Sequence, residues 1–180
     1  MILGLDISTS IVGATILDND GKIIKTDALD LRNKNHYPDI FSKYSHIQGE
    51  LLDIQAAHKI NHIFVEQSLQ MFRSGFSSAK TLSTLSSFNG VVSYLCYREL
   101  NIKPEYIPAS SARKSCGISI PRGKKAKEEV VKFLLDNEPL FEVEYTKHGN
   151  IKPAYYDIAD SMIIAKAGYK LVKQRENSSS

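Results

Sequence analysis

The sequence has only two cysteines, and it has no apolar run near the length of a membrane span. Cys96 and Cys116 fall in different predicted elements and match no metal-ligand spacing, so we expect both thiols to be reduced and structural. About 18 consecutive apolar residues would indicate a membrane helix, and a basic segment before an apolar one would indicate a secretory signal. Neither is present. We therefore expect an intracellular protein, cytoplasmic or nucleoid-associated, from a cellular or a viral source.

Acidic residues are scarce in the middle of the chain. Between Gln67 and Lys127 there are ten basic residues but only two acidic ones, Glu99 and Glu105. This segment carries a formal charge of +8, although the whole chain carries only +3. Such a stretch indicates contact with a polyanion, because each neutralised phosphate releases counterions. The alternative is a solvated basic surface without a ligand. The depletion of acids favours nucleic acid.

Hydrophobic periodicity divides the 180 residues into alternating strands and helices without an internal repeat. The predicted strands cover 2–7, 11–17, 22–29, 62–66 and 105–107. The predicted helices cover 38–59, 79–100, 124–136 and 154–173, with a brief helix after Pro108 that Ser110 or Ser111 would cap. The first three strands form an antiparallel meander, and the later strands alternate with helices. This order predicts an α/β domain with a mixed sheet.

Four carboxylates stand where an unpaired charge would be costly. Asp6 and Glu66 each end an apolar strand, and Asp157 and Asp160 lie three residues apart on one face of the last helix. A divalent cation would compensate them, and two such ions roughly 3.5 to 4 Å apart hydrolyse phosphodiesters. Oxygen ligands favour Mg²⁺, with Mn²⁺ as a substitute. The alternative is four unrelated carboxylates at strand ends and on an exposed helix.

Several segments resemble the RuvC-type Holliday junction resolvases, which belong to the RNase H-like nucleases. They are ILGLDIS at the start, FVEQ, SAKTLSTLSSFNGVV, YIPASSARKSCG, and YYDIADSMIIAKAGY near the end. In that family an aspartate on a strand, a glutamate at a strand end and a DxxD-type pair on the last helix bind two Mg²⁺ ions. The resemblance implies that Asp6, Glu66, Asp157 and Asp160 are the catalytic metal ligands.

The chain departs from the family pattern in two loops. The segment after Glu66 is several residues longer, so the aromatic that wedges into the junction is assigned to Phe72 first and Phe76 second, or neither. The family's glycine-rich basic loop appears as 120–127, with fewer glycines and more basic residues, and Lys127 matches the family's basic position best. The predicted DNA-binding residues are Phe72, Arg73, Phe76, Lys80, Arg113, Lys114, Arg122, Lys124, Lys125 and Lys127.

The resemblance implies a single RNase H-like nuclease domain over 1–175, followed by a frayed polar tail over 176–180. Its sheet would contain three antiparallel N-terminal strands and then parallel strands, with helices on both faces. The implied activity is Mg²⁺-dependent, structure-selective DNA cleavage that resolves four-way junctions or related branched DNA by symmetric paired nicks. A homodimer would supply the two active sites, because two nicks related by a two-fold axis need two identical subunits.

Two alternatives belong to other functional classes. The segment GLDISTSIVGATILD followed by DGKII also resembles the phosphate-binding hairpin of actin-like ATPases and sugar kinases. Those proteins need two lobes and a second glycine-rich phosphate motif, for which 180 residues leave no room. The other alternative is a catalytically inactive module that binds branched nucleic acid, against which the four intact carboxylates argue.

Overall fold

The computed structural model describes residues 1–67 and 79–178, and these ranges contain five strands and five helices. The strands are β1 (Ile2–Ile7), β2 (Ile11–Leu17), β3 (Ile23–Asp30), β4 (His62–Glu66) and β5 (Glu105–Ile107). The helices are α1 (Ile40–Ala57), α2 (Ala79–Leu100), α3 (Ala109–Ser115), α4 (Ala126–Asn137) and α5 (Ala154–Ser178).

The five strands form one mixed sheet in the order β3-β2-β1-β4-β5. β1 pairs antiparallel with β2, and β2 with β3, whereas β1 and β4, and β4 and β5, pair in parallel. The tight turn after β2 is held by Asp18, whose carboxylate accepts hydrogen bonds from the backbone amides of Asp20 and Lys22. The predicted mixed sheet with an N-terminal antiparallel meander is confirmed.

Helices cover both faces of the sheet, because the central strands are apolar on both sides. Leu3, Leu5 and Val65 belong to the core that α1 and α2 cover. Ile2 and Phe64, which alternate with them along the same strands, belong to the core that α3, α4 and α5 cover. The central strands therefore lie between two apolar layers. Because side chains alternate between the two faces, the position of a polar residue along a strand decides which layer it faces.

The helix ends differ in places from the sequence prediction. Neither Ser110 nor Ser111 caps α3, because the helix begins one residue earlier and Pro108 takes the N-cap position without a side-chain hydrogen bond. The proline ring fixes an extended backbone there, and both serines fall inside the helix. α5 continues to Ser178, well into the segment predicted to be a frayed tail. Within the described ranges, no helix is long and apolar enough to cross a membrane.

Candidate metal centre and nucleic-acid interface

Asp6 and Glu66 lie at the same level of the sheet and on the same face. Leu5 is paired with Val65 across the parallel β1–β4 ladder, so each carboxylate follows directly after a paired residue. Since side chains alternate along a strand, Asp6 follows Ile2 and Gly4 onto the face covered by α5, and Glu66 follows Phe64. The strand pattern alone therefore directs both carboxylates towards α5.

α5 approaches the sheet closely enough for its carboxylates to reach those of the strands. Gly13 on β2 is paired with Asp6, and a Cβ atom at Gly13 would lie 2.1 Å from the backbone oxygen of Asp157. A Cβ atom at Gly4 would lie 2.6 Å from the Ala165 Cβ. Both distances are impossible for real side chains, so the two glycines let the helix lie directly on β1 and β2. This contact places the first turns of α5 beside Asp6.

The resulting cluster contains three of the four predicted carboxylates. One oxygen each from Asp6, Glu66 and Asp160 lies within 4.8 Å of the other two. Asp160 is only 8% exposed, and charged residues are rarely so buried unless they are paired. Across residues 1–67 and 79–178, this is the group of side chains whose geometry suits a metal ion. Three hard oxygen donors at this spacing fit a cation such as Mg²⁺ or Mn²⁺.

Burial and mutual repulsion disfavour full ionisation of this cluster. Burial raises the pKa of Asp6 well above its usual range, and the nearby Glu66 and Asp160 raise it further. Burial and Asp160 likewise raise the pKa of Glu66 to about 7, although Lys127 and Arg113 act in the opposite direction. The pKa of Asp160 is also raised by burial, against the effect of Lys127. A bound cation would stabilise the ionised forms.

Lys127 contacts the fourth carboxylate. Its Nζ atom lies 3.0 Å from Oδ1 of Asp157 and 3.3 Å from Oδ2 of Asp160. Burial lowers the pKa of Lys127, but Asp160, Asp6 and Asp157 outweigh that effect and raise it overall. Lys127 is therefore a partner of both α5 carboxylates, and of these two only Asp160 also belongs to the cluster with Asp6 and Glu66. The sequence placed Lys127 among DNA-binding residues and gave no sign of this ion pair.

Two arginines also act on the carboxylates. Arg113 on α3 is half-buried and affects the pKa values of both Glu66 and Asp160, so the residue predicted to contact DNA lies near the cluster. Arg32, which was not predicted, follows β3 and forms hydrogen bonds with Asp30. Its charge also interacts with Asp157. The meander contained the signal for Arg32, because the end of β3 lies beside the start of β2, next to the end of β1.

Of the other predicted DNA-binding residues, five are exposed in the described ranges and three lie outside them. Lys80 is exposed in the first turn of α2, and Lys114 is exposed near the end of α3. Arg122, Lys124 and Lys125 are exposed in the loop that leads into α4, and Lys125 pairs with Glu128 at 2.9 Å. This loop runs directly into Lys127, so it is joined to the carboxylate cluster. Phe72, Arg73 and Phe76 lie outside the described residues, and their proposed contacts with DNA stay predictions.

No protein-family model and no curated protein matches this sequence. Solved structures do match it. Thermus thermophilus RuvC in complex with a Holliday junction substrate has a TM-score of 0.67 and 13% identity, with 96% of this chain and 94% of that chain covered. A second Thermus thermophilus RuvC structure has a TM-score of 0.63 and 13% identity, with 96% of each chain covered. The yeast mitochondrial Holliday junction resolvase Ydc2 has a TM-score of 0.61 and 18% identity, with coverage of 98% and 80%.

These three likenesses extend over nearly the whole chain at low identity, so they concern the arrangement of the backbone. The alignments cover 96–98% of this chain, so they include its mixed sheet and the helices on both faces of that sheet. The RNase H-like fold predicted from the sequence is thereby confirmed, and the resemblance in sequence motifs agrees with it. The chain has the RNase H-like fold in the form found in the RuvC-type Holliday junction resolvases.

Proposed function

We propose that this protein is a Mg²⁺-dependent endodeoxyribonuclease that resolves four-way DNA junctions or related branched DNA by paired nicks. The observation that carries the proposal is the cluster of Asp6, Glu66 and Asp160, whose oxygens lie within 4.8 Å of one another. It lies on a fold shared with a RuvC structure that was solved with its junction substrate. A buried group of oxygen ligands suits metal-assisted hydrolysis better than it suits binding alone.

In this proposal, the four carboxylates together coordinate two metal ions. Asp6, Glu66 and Asp160 would hold one ion, and Asp157 would complete the ligand set for a second. Two bound Mg²⁺ ions, or Mn²⁺ in their place, would supply an activated water and stabilise the leaving oxygen. The protein's own contribution is to hold the ligands on two strands and a helix, β1, β4 and α5. Ligands on regular elements are held more rigidly than ligands on loops.

The basic residues around the cluster would bind the phosphates of the DNA. Arg122, Lys124 and Lys125 are exposed in the loop before α4, and Arg113 and Lys114 lie on α3 beside it. Lys80 would extend this surface, as would Phe72, Arg73 and Phe76. Contacts of this kind position the backbone without reading the sequence of the bases. They therefore fit a nuclease that selects a DNA structure, and the wedge residue would come from the segment after Glu66.

A homodimer would supply the second active site, and α2 offers a surface for it. Val91, Tyr94 and Tyr97 are 36%, 58% and 52% exposed along one side of this helix. Exposed aromatic side chains grouped on a helix are typical of interfaces between proteins. Changing both Val91 and Tyr94 to glutamate should produce monomers by analytical ultracentrifugation and convert paired nicks into single ones. Leu135→Glu on α4, where the leucine is 43% exposed, is the matched control and should stay dimeric.

The first experiment compares cleavage of a labelled four-way junction with cleavage of a linear duplex of the same sequence. Wild type should nick the junction in pairs with Mg²⁺ and should be inactive with EDTA. Asp160→Asn should lower the rate by a factor of 10³ or more, because it removes a charged ligand, while junction binding in gel shifts is retained. Asp136→Asn, an exposed aspartate on α4, should cleave like wild type. Absence of cleavage of any branched substrate with Mg²⁺ or Mn²⁺ would overturn the proposal.

A further inference from the structure

Lys127 contacts the carboxylate site from a position in α4 where a positive charge is unfavourable for the helix. The residue lies in the first turn of α4, where the backbone amides and the helix dipole disfavour a positive charge. The adjacent loop adds Arg122, Lys124 and Lys125, which repel another cation. Helix stability therefore does not account for a lysine at this position. The compensating interactions are with carboxylates on another helix.

Those carboxylates are the two that α5 contributes to the site. Lys127 Nζ lies 3.0 Å from the Asp157 oxygen and 3.3 Å from the Asp160 oxygen, so one ammonium group bridges both. The lysine side chain is 54% exposed, whereas those of Asp157 and Asp160 are 14% and 11% exposed. The ammonium group thus covers two nearly buried carboxylates from the solvent side. Lys125 makes a contrasting pair with Glu128, in which both side chains are largely exposed.

The bridge explains which carboxylates are ready for a metal ion. Asp6, Glu66 and Asp160 present oxygens close to each other, but Asp157 does not belong to that group. The ammonium group lies 3.0 Å from Asp157 and 3.3 Å from Asp160, so it takes the position between them from which one cation would bind both, while Asp160 also shares the group with Asp6 and Glu66. A divalent cation and an ammonium group at this separation repel each other. A metal ion with Asp157 as a ligand and the bridging lysine therefore exclude each other.

We propose that Lys127 is an internal counter-cation that keeps Asp157 unavailable to metal until DNA phosphate draws the lysine away. The inference rests on the proposed function, since it assumes that the cluster binds divalent ions. In the DNA-free protein, one divalent ion binds to Asp6, Glu66 and Asp160, and a second is admitted only after the lysine has left. Phosphate is a suitable competitor, because a lysine ammonium group pairs with phosphate oxygens as readily as with carboxylates. Metal loading is thereby coupled to DNA binding.

The test measures Mn²⁺ binding to the DNA-free protein by electron paramagnetic resonance and isothermal titration calorimetry. Wild type should bind one Mn²⁺ per chain, and Lys127→Met should bind two, with the first bound about tenfold more tightly. Lys132→Met removes the same charge from an exposed position on the same helix and should behave like wild type. Lys127→Arg keeps the charge and should also bind one ion. Circular dichroism establishes that each variant is folded.

The outcomes separate this inference from the proposed function. Absence of Mn²⁺ binding in all four proteins would overturn the proposed function itself. Equal affinity and equal stoichiometry in wild type and Lys127→Met would overturn only the role of Lys127. The DNA step is tested by NMR of protein with ¹⁵N-labelled lysine ammonium groups. The signal of Lys127 is identified by its absence from the spectrum of Lys127→Met. In wild type this signal should shift when a four-way junction is added in EDTA, where no cleavage occurs. An unchanged signal with the junction bound would overturn the release by phosphate.

Discussion

The two faces of the sheet are packed in different ways. The α1–α2 face is an ordinary apolar layer, in which Leu51, Phe88 and Val92 fill the space above the strands and Tyr44 stacks on Phe88 at 5.1 Å. The α5 face instead brings a helix into direct backbone contact with β1 and β2, and a buried polar pair links that helix to the sheet. Thr15 and Ser161 are both 0% exposed and share a hydrogen bond of 2.8 Å across that contact.

The difference separates what stabilises the fold from what positions the site. Side chains on the α1–α2 face are able to adjust to each other, because only their total volume must fit. Close contact on the α5 face fixes how far Asp157 and Asp160 lie from Asp6. Substitutions on the two faces should therefore have different consequences. Loss of packing on the first face should lower stability alone, whereas a displacement on the second should also weaken metal binding.

The largest effects should come from one substitution on each face. Gly13→Ala forces the start of α5 away from β2, because the new Cβ would lie 2.1 Å from the Asp157 oxygen. We expect a loss of about 2–3 kcal/mol in the free energy of unfolding and a fall of at least tenfold in Mn²⁺ affinity. Leu51→Ala should cost about 2–5 kcal/mol but leave the Mn²⁺ affinity of the folded protein unchanged. Urea unfolding and calorimetric Mn²⁺ titration measure the two quantities.

Gly49→Ala is the control for the glycine substitution. Gly49 lies inside α1, and a Cβ atom there would have no neighbour within 4 Å. Alanine should therefore stabilise the protein by up to about 1 kcal/mol without changing metal affinity. If Leu51→Ala weakened Mn²⁺ binding as much as Gly13→Ala does, the proposed division between the two faces would be wrong.

A smaller effect should appear in the pH dependence of the metal-free protein. The pKa of Glu66 is about 7 in the folded state against 4.5 ordinarily, since burial and Asp160 raise it while Lys127 and Arg113 oppose the rise. A raised folded-state pKa gives stability that is present below pH 4.5 and lost as the pH rises through about 7. In EDTA, we expect a loss of about 3 kcal/mol between pH 4.5 and pH 8, measured by urea unfolding.

Removing one of the repelling carboxylates should reduce this loss. Asp6→Asn should be more stable than wild type at pH 8 in EDTA, because it removes a carboxyl group whose pKa is raised by burial and by the neighbouring carboxylates. Asp53→Asn, an exposed aspartate on α1, serves as the control and should follow the wild-type pH profile. The opposite order of stability for Asp6→Asn would indicate that the cluster does not repel in the folded protein. Added Mg²⁺ should raise wild-type stability most at pH 8.

The smallest effect concerns the polar link between β2 and α5. Thr15→Val removes the buried hydrogen bond to Ser161 and should cost about 1 kcal/mol, or roughly 2–4 °C in Tm. Thr26→Val is the matched control, because Thr26 is paired with Thr15 across β2 and β3 but is exposed. It should change stability by less than about 0.5 kcal/mol. Equal losses for both variants would show that the buried link adds nothing beyond strand propensity.

The order of elements and the choice of carboxylates were predictable from local patterns. Alternation along two apolar strands directed Asp6 and Glu66 to strand ends, and the three-residue spacing put Asp157 and Asp160 on one face of a helix. Periodicity also predicted each helix and strand to within a few residues. It failed at α3, where two serines suggested an N-cap and the proline before them took that position. A fixed proline backbone overrode the side-chain signal.

Only the tertiary structure decided how the four carboxylates are divided. Their sequence pattern treats them alike, but three lie together and Asp157 pairs with Lys127, which is 30 residues away along the chain. Gly13 carried no sequence signal that connects it with Asp157, and the meander places Arg32 near the end of β1 without indicating its interaction with Asp157. The sequence determined which charged groups lie at one edge of the sheet, because period and strand order are local properties. The distances among them depend on how closely α5 approaches β1 and β2, and that separation exists only once the layers have packed.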